Sequence, residues 1–166
     1  MRLAIISDTH LPKGTRTLPA ACVVRLRRAD AILHAGDLST LAVLRELEAL
    51  GPPVHAVHGN VDDAEVRSAL PATLELDLPG GLRLAMVHDA GPAARRLARM
   101  RRAFPDAAAV VFGHSHIPLH EADPADGFQL FNPGSPTERR RSPRHTMGEA
   151  VVRGGTIAFA RVDLDP

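Results

Sequence analysis

The sequence has no tryptophan, no tyrosine and only five phenylalanines among its 166 residues. Aliphatic side chains must therefore fill the core, and stacking of nucleobases on aromatic rings is not expected. The single cysteine, Cys22, excludes an intrachain disulfide and a zinc site built from cysteines. We expect Cys22 to occupy core space in a reducing compartment.

Strong net charge and long apolar runs are also lacking. The formal net charge is +1, so no overall field favours a nucleic acid or a membrane as partner. No apolar run is long enough to span a bilayer, and the N-terminus reads as a strand without a signal-peptide pattern. We therefore expect a cytoplasmic protein that forms one domain over residues 1–166.

The hydrophobic pattern changes along the chain. The first part alternates strands, predicted over residues 1–7, 31–34 and 54–58, with helices, predicted over residues 19–29, 40–50 and 64–70. The second part predicts one helix that begins at Pro92 and strands over residues 73–78, 82–88, 109–112, 119–122, 128–131, 147–152 and 156–164. The two patterns together predict an α/β (α+β) fold, a four-layer sandwich in which two mixed β-sheets pack face to face and helices flank them.

Residues that can bind a metal recur where the predicted strands end. Five strand ends deliver them: Asp8 with His10, Asp37, Asn60, His88, and His114 with His116. Open α/β sheets bind ligands beyond the carboxyl ends of their strands, so we expect these side chains to converge. Glycines stand directly before Asp37, Asn60 and His114, where they permit sharp turns and close backbone approach.

The candidate ligands offer oxygen and nitrogen but no sulfur. Such a set suits divalent ions such as Mn²⁺, Fe²⁺, Zn²⁺ or Ni²⁺ better than a structural zinc. Seven residues are too many for one ion with an open position, and they suit two ions that share a carboxylate. Two ions about 3.5–4 Å apart polarise a phosphoryl group and lower the pKa of a bridging water. Taken singly, Asp8, Asp37 or His114 could instead be a capping or core polar group.

Other polar residues carry weaker signals. We expect His34 and His58, placed inside strands, to support the site or fill the core rather than ligate. The arginines of the run after Glu138 are interpreted as a solvated basic loop rather than a phosphate clamp. Three histidines without a positional signal are interpreted as surface residues: His55, His120 and His145.

Taken in order, these residues resemble the motifs of the calcineurin-like metallophosphoesterases. The matching segments are Asp8-x-His10, Gly36-Asp37, Gly59-Asn60-x-Asp62, His88 and Gly113-His114-x-His116. Ser7-Asp8-Thr9-His10 and Asn132-Pro133-Gly134-Ser135 look like the small bacterial and archaeal phosphodiesterase branch. The resemblance implies a metal-dependent phosphoric ester hydrolase with two divalent ions, manganese first and iron, zinc or nickel as alternatives.

The resemblance also implies a role for each residue. Asp8, His10 and His116 would hold the first metal. Asn60, His88 and His114 would hold the second, and Asp37 would bridge the two. Asp37, Asn60 and His114 are therefore expected to serve catalysis together with Asp62, which is better placed to orient its neighbours than to ligate.

Two departures from the family pattern affect the expected activity. Val61 stands where many members have a histidine that protonates the leaving group, and an apolar side chain cannot act as a general acid. Asp89 follows His88 where glycine is usual. We therefore expect a phosphodiesterase in which a metal-bridging hydroxide attacks phosphorus in small esters with good leaving groups. The alternatives are a phosphomonoesterase, a nuclease, or a non-catalytic interaction scaffold like a retromer subunit of similar fold, and a homo-oligomer is left open.

Overall fold

The computed structural model describes residues 1–165, and Pro166, which the predicted domain includes, lies outside the described residues. Within residues 1–165 the strands are β1 (Arg2–Ile6), β2 (Ala31–His34), β3 (Val54–Ala56), β4 (Thr73–Leu78), β5 (Leu82–Val87), β6 (Ala109–Val111), β7 (Leu119–Ala122), β8 (Gln129–Asn132), β9 (Thr146–Arg153) and β10 (Thr156–Asp163). The helices are α1 (Ala20–Arg27), α2 (Leu41–Glu48), α3 (Ala64–Ala69) and α4 (Arg96–Ala103).

The strands form two five-stranded sheets, in the orders β10-β9-β1-β2-β3 and β4-β5-β6-β8-β7. Strands β1, β2 and β3 run parallel to one another, as do β5, β6 and β8. The antiparallel pairs are β1 with β9, β9 with β10, β4 with β5 and β7 with β8. The final hairpin joins the first sheet, because β9 pairs with β1 and places Gly148 opposite Ile5. A side chain at Gly148 would overlap the Phe131 ring from the second sheet. The two mixed sheets predicted from the sequence are confirmed.

Strand β1 shows how the layers are built. Its alternate residues Leu3 and Ile5 point into the core between the sheets, where they meet Phe131. Ala4 and Ile6 point the other way, into a second core under helices α1 and α2. Successive side chains of a strand face opposite sides, so a strand covered on both faces is apolar throughout. Helix α4 covers the outer face of the second sheet, which completes four layers.

Two local predictions are wrong. Helix α4 begins at Arg96 rather than Pro92, because the Arg99 side chain donates to the carbonyls of Ala90 and Pro92 and holds that segment as a loop. Strand β3 ends at Ala56, since the His58 amide donates to the Pro71 carbonyl and not to the neighbouring strand.

The two helices of the first part that follow β2 and β3 begin differently. Thr40 directly precedes α2, and its hydroxyl makes no capping hydrogen bond. Asp63, by contrast, caps α3, since its carboxylate accepts from the Val66 amide at 2.8 Å. No helix within residues 1–165 is both long and apolar enough to cross a membrane.

Candidate metal centre

The loops that follow the parallel strands carry all the candidate ligands. Five of these residues have left-handed backbone angles: Asp8 (φ 57°), His10 (φ 46°), Asp37 (φ 61°), His114 (φ 68°) and His116 (φ 59°). Residues other than glycine rarely adopt this conformation. Such strain persists only where the surrounding structure enforces it, and it collects at functional sites.

Three glycines allow these loops to approach one another. A side chain at Gly36 would overlap the His88 ring, and one at Gly59 would overlap the Asp37 carboxylate. A side chain at Gly113 would overlap the Ser7 hydroxyl. The close backbone approach expected from the Gly-Asp, Gly-Asn and Gly-His pairs is therefore present at each of the three positions.

A first group of side chains joins the loops after β1 and β6. The Nε2 atom of His116 lies 3.3 Å from Oδ1 of Asp8 and 3.1 Å from Nε2 of His10. One ligand atom from each of these three residues falls within 4.8 Å of the others. Asp8 and His116 are fully buried, whereas His10 is half-buried.

A second group lies beside the first. The Nε2 atom of His88 is 3.3 Å from Oδ2 of Asp37 and 3.1 Å from Oδ1 of Asn60. That amide oxygen also lies 2.9 Å from Nδ1 of His114. Asp37 Oδ2 is in turn 3.6 Å from Nε2 of His10, so this carboxylate stands between the two groups. The structure thus brings all seven sequence-predicted residues together.

Two backbone carbonyls fix the orientation of the buried imidazoles. Nδ1 of His116 donates to the Glu138 carbonyl at 2.6 Å, and Nδ1 of His88 donates to the Ala35 carbonyl at 2.8 Å. A carbonyl only accepts, so in the neutral ring each Nε2 keeps a lone pair. Both lone pairs face carboxylate oxygens.

A lone pair on Nε2 that faces a carboxylate oxygen is repelled by it unless a proton or a metal ion lies between the two atoms. The donors are imidazole nitrogens together with carboxylate and amide oxygens, a set that suits a divalent transition metal ion. Metal-binding histidines characteristically donate their other ring nitrogen to a carbonyl or carboxylate. The residues present therefore fit a divalent metal ion.

Burial determines the protonation of the first group. It raises the pKa of Asp8 from 3.8 to about 7 and lowers the pKa of His116 from 6.5 to about 4. Burial also lowers the pKa of His10. Removal from water disfavours the charged form of each group, so in the metal-free chain the first group tends to be neutral.

Asp37 and His88 behave as an ion pair instead. Burial acts to raise the pKa of Asp37, but the hydrogen bond from His88 and the charge on that ring hold it below its usual value. Burial acts to lower the pKa of His88, but the hydrogen bond to Asp37 and the charges of Asp8 and Asp37 raise it above its usual value. A proton on His88 thus supplies positive charge to the metal-free cluster.

Asp62 connects the loop after β3, in which it lies, to the loop after β2. Its Oδ2 atom accepts from the amides of Gly59 at 2.6 Å and Asp37 at 3.1 Å, and its Oδ1 atom accepts from the Ser39 amide at 2.6 Å. The side chain is buried. Both carboxylate oxygens are engaged by backbone amides, so Asp62 positions the Asp37 backbone rather than facing the donor cluster.

The Asn132–Ser135 loop connects the two ends of the site. The Ser135 hydroxyl donates to the Asp8 carbonyl at 2.8 Å, and the Asn132 amide donates to the Gly113 carbonyl at 2.7 Å. Thr137 adds a bond to the Thr9 carbonyl at 2.6 Å. Neither Thr137 nor the Glu138 carbonyl was predicted from the sequence. A backbone carbonyl is present in every residue, so residue type does not indicate which one accepts a hydrogen bond.

The remaining histidines lie outside the cluster. His34 is buried, accepts from the Gly36 amide at 3.2 Å and contacts the Thr9 hydroxyl at 3.1 Å. Burial lowers the His34 pKa to about 3, so this ring is a neutral support for the Asp8 loop. Exposure varies among the others: His120 is exposed, and His55, His58 and His145 are half-buried.

Fold and donor set together define a class of protein, an α/β sandwich with a polar cluster suited to divalent cations at the carboxyl ends of its strands. The chain belongs to the calcineurin-like phosphoesterase superfamily, since its residues 1–153 match the model of the calcineurin-like phosphoesterase superfamily domain. The family expected from the motifs is therefore confirmed.

Similar proteins include both enzymes and a sorting protein. The chain is 32% identical over 143 residues to a probable metallophosphoesterase of Methanothermobacter thermautotrophicus, with 84% of this chain and 80% of the relative covered. It resembles the zinc complex of Vps29 from Entamoeba histolytica, at a TM-score of 0.76, 22% identity and coverage of 99% and 100%. A novel archaeal phosphodiesterase matches at a TM-score of 0.67, 18% identity and coverage of 98% and 100%. These two structures establish likeness of fold alone.

Proposed function

We propose that this protein is a phosphodiesterase that depends on two divalent metal ions. The observation that carries the proposal is the pair of buried imidazoles, His88 and His116, whose Nε2 atoms lie 3.3 Å from carboxylate oxygens while their Nδ1 atoms donate to backbone carbonyls. Family membership supplies the reaction class, the hydrolysis of a phosphoric ester by metal-assisted attack of water.

In this proposal the cluster divides as the family motifs imply. Asp8, His10 and His116 hold one ion, and their ligand atoms lie within 4.8 Å of one another. Asn60, His88 and His114 hold the other. Asp37 is shared, and its placement between His10 and His88 supports this role. We place manganese first, with iron, zinc and nickel as alternatives.

Two ions held here would supply Lewis-acid polarisation of the phosphoryl oxygen and a strong nucleophile near neutral pH. The chain itself fixes the geometry. The Glu138 and Ala35 carbonyls hold the rings of His116 and His88 in one tautomer, and Asp62 fixes the backbone of Asp37. Rigid placement of this kind avoids reorganisation as charge develops on the phosphoryl group.

Val61 limits the range of substrates. The side chain is 50% exposed beside Asn60 and cannot donate a proton to a departing oxygen. Asp89 is exposed and accepts from the Gly91 amide at 2.7 Å, so the second departure from the family pattern is a loop contact. Diesters with good leaving groups, such as aryl esters, are therefore the proposed substrates.

The test removes the metals and then one carboxylate. Protein treated with a chelator should lose hydrolysis of bis-p-nitrophenyl phosphate and regain it with Mn²⁺, and Asp37→Ala should lose at least about 100-fold in kcat/KM, as expected when transition-state stabilisation is removed. Asp77→Ala, which alters an exposed carboxylate on β4 bonded to Arg83, serves as the control and should retain activity. Full turnover by the stripped protein or by Asp37→Ala would contradict the proposal.

An interaction scaffold is the second candidate, favoured by the fold shared with Vps29. Metal content cannot separate the two candidates, because that Vps29 structure is itself a zinc complex. Turnover can: Mn-loaded protein without activity on any mono- or diester of p-nitrophenol would favour the scaffold. Comparison of mono- and diesters with the same leaving group separates a phosphomonoesterase from a phosphodiesterase.

A further inference from the structure

The start of the basic run after Glu138 is anchored beside the metal centre at two points. The Glu138 carbonyl accepts from Nδ1 of His116 at 2.6 Å, and Nη1 of Arg140 donates to the His114 carbonyl at 3.1 Å. Both partners lie in the loop after β6. The sequence predicts a solvated basic loop here, whereas the Arg140 guanidinium lies against a loop that carries two candidate metal ligands.

Hydrogen bonds fix the turn around Arg140. The Glu138 amide donates to the Ser135 hydroxyl at 2.9 Å, and the Ser142 amide donates to the Arg139 carbonyl at 2.8 Å. Arg140 itself has a left-handed backbone, with φ of 49°, a conformation that residues other than glycine rarely adopt. Five of the candidate ligands share this conformation, and strain of this kind collects at functional sites.

Most hydrogen-bond donors of Arg140 remain available. A guanidinium carries several N–H donors, and the His114 carbonyl engages one of them. The residue is exposed, and no carboxylate of residues 1–165 forms an ion pair with it. The carboxylate of nearby Glu138 is bonded instead to Nη1 of Arg16 at 2.8 Å. The positive charge of Arg140 is therefore not neutralised by a direct partner among these residues.

The charge of Arg140 also acts on the first group of candidate ligands. Burial is the main reason for the lowered pKa values of His10 and His116, and the positive charge of Arg140 adds to it. His10 follows β1 and His116 follows β6, so the guanidinium lies near two ligand loops at once. Guanidinium groups favour phosphate because their planar array of donors matches its oxygens. A phosphoryl group held at these ligands would therefore have a cationic donor beside it.

We propose that Arg140 binds a non-bridging phosphoryl oxygen of the ester at the metal centre. This inference rests on the proposed function for its catalytic consequence, whereas the binding of phosphate can be measured without turnover. In this role Arg140 contacts the substrate and stabilises the negative charge on its phosphoryl oxygens in the transition state. A guanidinium stays protonated in proteins, so Arg140 does not replace the leaving-group acid that Val61 lacks.

Binding of inorganic phosphate separates this role from catalysis. Calorimetric titration of Mn-loaded protein should give about tenfold weaker phosphate binding for Arg140→Gln than for wild type, the loss of one charge-assisted hydrogen bond. Arg140→Lys keeps the charge without the planar donors and should lose less, about threefold. Arg141→Gln is the matched control, since Arg141 is an exposed arginine of the same run without a hydrogen bond from its side chain to residues 1–165. This variant should bind phosphate as wild type does.

Affinity for Mn²⁺ separates a contact with phosphate from an indirect effect through the His114 carbonyl. The His114 amide donates to Oδ1 of Asp8 at 3.1 Å, which holds this loop independently of Arg140. In phosphate-free buffer the Mn²⁺ affinity of Arg140→Gln should therefore stay within about twofold of wild type, the usual range for a surface change. With bis-p-nitrophenyl phosphate, kcat/KM should fall at least about tenfold in Arg140→Gln and stay unchanged in Arg141→Gln.

Equal phosphate affinity of wild type and Arg140→Gln, or equal losses in Arg140→Gln and Arg141→Gln, would overturn the inference. A loss of Mn²⁺ affinity in Arg140→Gln as large as its loss of phosphate affinity would also overturn it, since Arg140 would then act on the His114 loop alone. Phosphate binding that depends on Arg140, without hydrolysis of any ester, would support the inference and contradict the proposed function. Unchanged hydrolysis by Arg140→Gln would support the proposed function and overturn the inference.

Discussion

The Nε2 atom of His116 lies 3.3 Å from the Asp8 carboxylate, while its Nδ1 atom donates to the Glu138 carbonyl at 2.6 Å. The carbonyl decides which nitrogen carries the proton, so the nitrogen that faces Asp8 has a lone pair in the neutral ring. The same arrangement occurs at His88, whose Nδ1 atom donates to the Ala35 carbonyl and whose Nε2 atom faces Asp37. In both rings Nε2 is placed to bind a cation together with a carboxylate oxygen.

The first prediction concerns pH. Burial raises the pKa of Asp8 from 3.8 to about 7, so between these values the folded state holds a proton that the unfolded state has released. The contribution of Asp8 to the stability of metal-free protein should therefore fall as pH rises from 4 to 7, by up to about 1.4 kcal/mol per pH unit. The lowered pKa values of His34 and His116 contribute in the opposite direction, so the Asp8 contribution is measured as a difference between two proteins. Urea unfolding in a chelator at several pH values measures the change.

Asp8→Asn is the control for this dependence, because an amide does not titrate. Its unfolding free energy should rise relative to that of the wild-type protein as pH increases from 4 to 7, and parallel curves for the two proteins would contradict the pKa assigned to Asp8. Metal affinity of the wild-type protein should change in the opposite direction, rising with pH, because a bound metal displaces the proton from Asp8.

The second prediction concerns Asp62, which accepts from three backbone amides. Asp62→Asn turns one carboxylate oxygen into a donor that faces N–H groups, so at least one buried amide loses its acceptor. We expect a loss of about 2–3 kcal/mol in the free energy of unfolding and weaker metal binding, since the Asp37 backbone is released. Urea unfolding and calorimetric titration with Mn²⁺ measure the two effects.

The neighbouring substitution Asp63→Asn is a matched control. Asp63 caps α3 through the Val66 amide, and asparagine caps a helix about as well as aspartate. It should remain within about 0.5 kcal/mol of wild type, the usual range for surface changes. Equal effects of the two substitutions would show that Asp62 has no special positioning role.

The third prediction restores a missing acid. Val61→His places an imidazole next to Asn60, at a side chain that is 50% exposed and therefore has room to change. Turnover of diesters with poor, alkyl leaving groups should rise about tenfold or more relative to p-nitrophenyl diesters, because a general acid contributes most where the leaving group is basic.

Val151→His controls for the added histidine, since Val151 is 48% exposed on β9 and is remote in sequence from the ligand loops. The ratio of kcat/KM values for the two classes of diester is the measurement. A ratio that moves equally in both variants, or in neither, would contradict the role assigned to position 61.

Sequence reasoning succeeded where side-chain chemistry repeats at strand ends. The continuous apolar run from Leu3 to Ile6 is typical of a strand covered on both faces, and the glycines at 36, 59 and 113 predicted the close contacts that the structure contains. Two sheets could be inferred because the first part of the chain alternates predicted strands with helices, whereas the second part is mostly strand. The family could be recognised from the order of these residue types along the sequence alone.

Sequence reasoning failed where contacts between distant parts of the chain determine where an element begins or ends, or how a side chain is oriented. The end of β3 depends on a bond from the His58 amide to the Pro71 carbonyl, and the late start of α4 depends on Arg99. The orientation of His116 depends on the Glu138 carbonyl, 22 residues away. The residue types of Pro71, Arg99 and Glu138 do not show that these residues make such contacts.

We propose that the converging donors hold two metal ions with Asp37 between them. Anomalous diffraction from crystals grown with Mn²⁺ locates such ions and their ligands. We predict two anomalous peaks about 3.5–4 Å apart, one bound by Asp8, His10 and His116, the other by Asn60, His88 and His114, with Asp37 bound to both. A single peak, or a pair of peaks without Asp37 between them, would contradict the account.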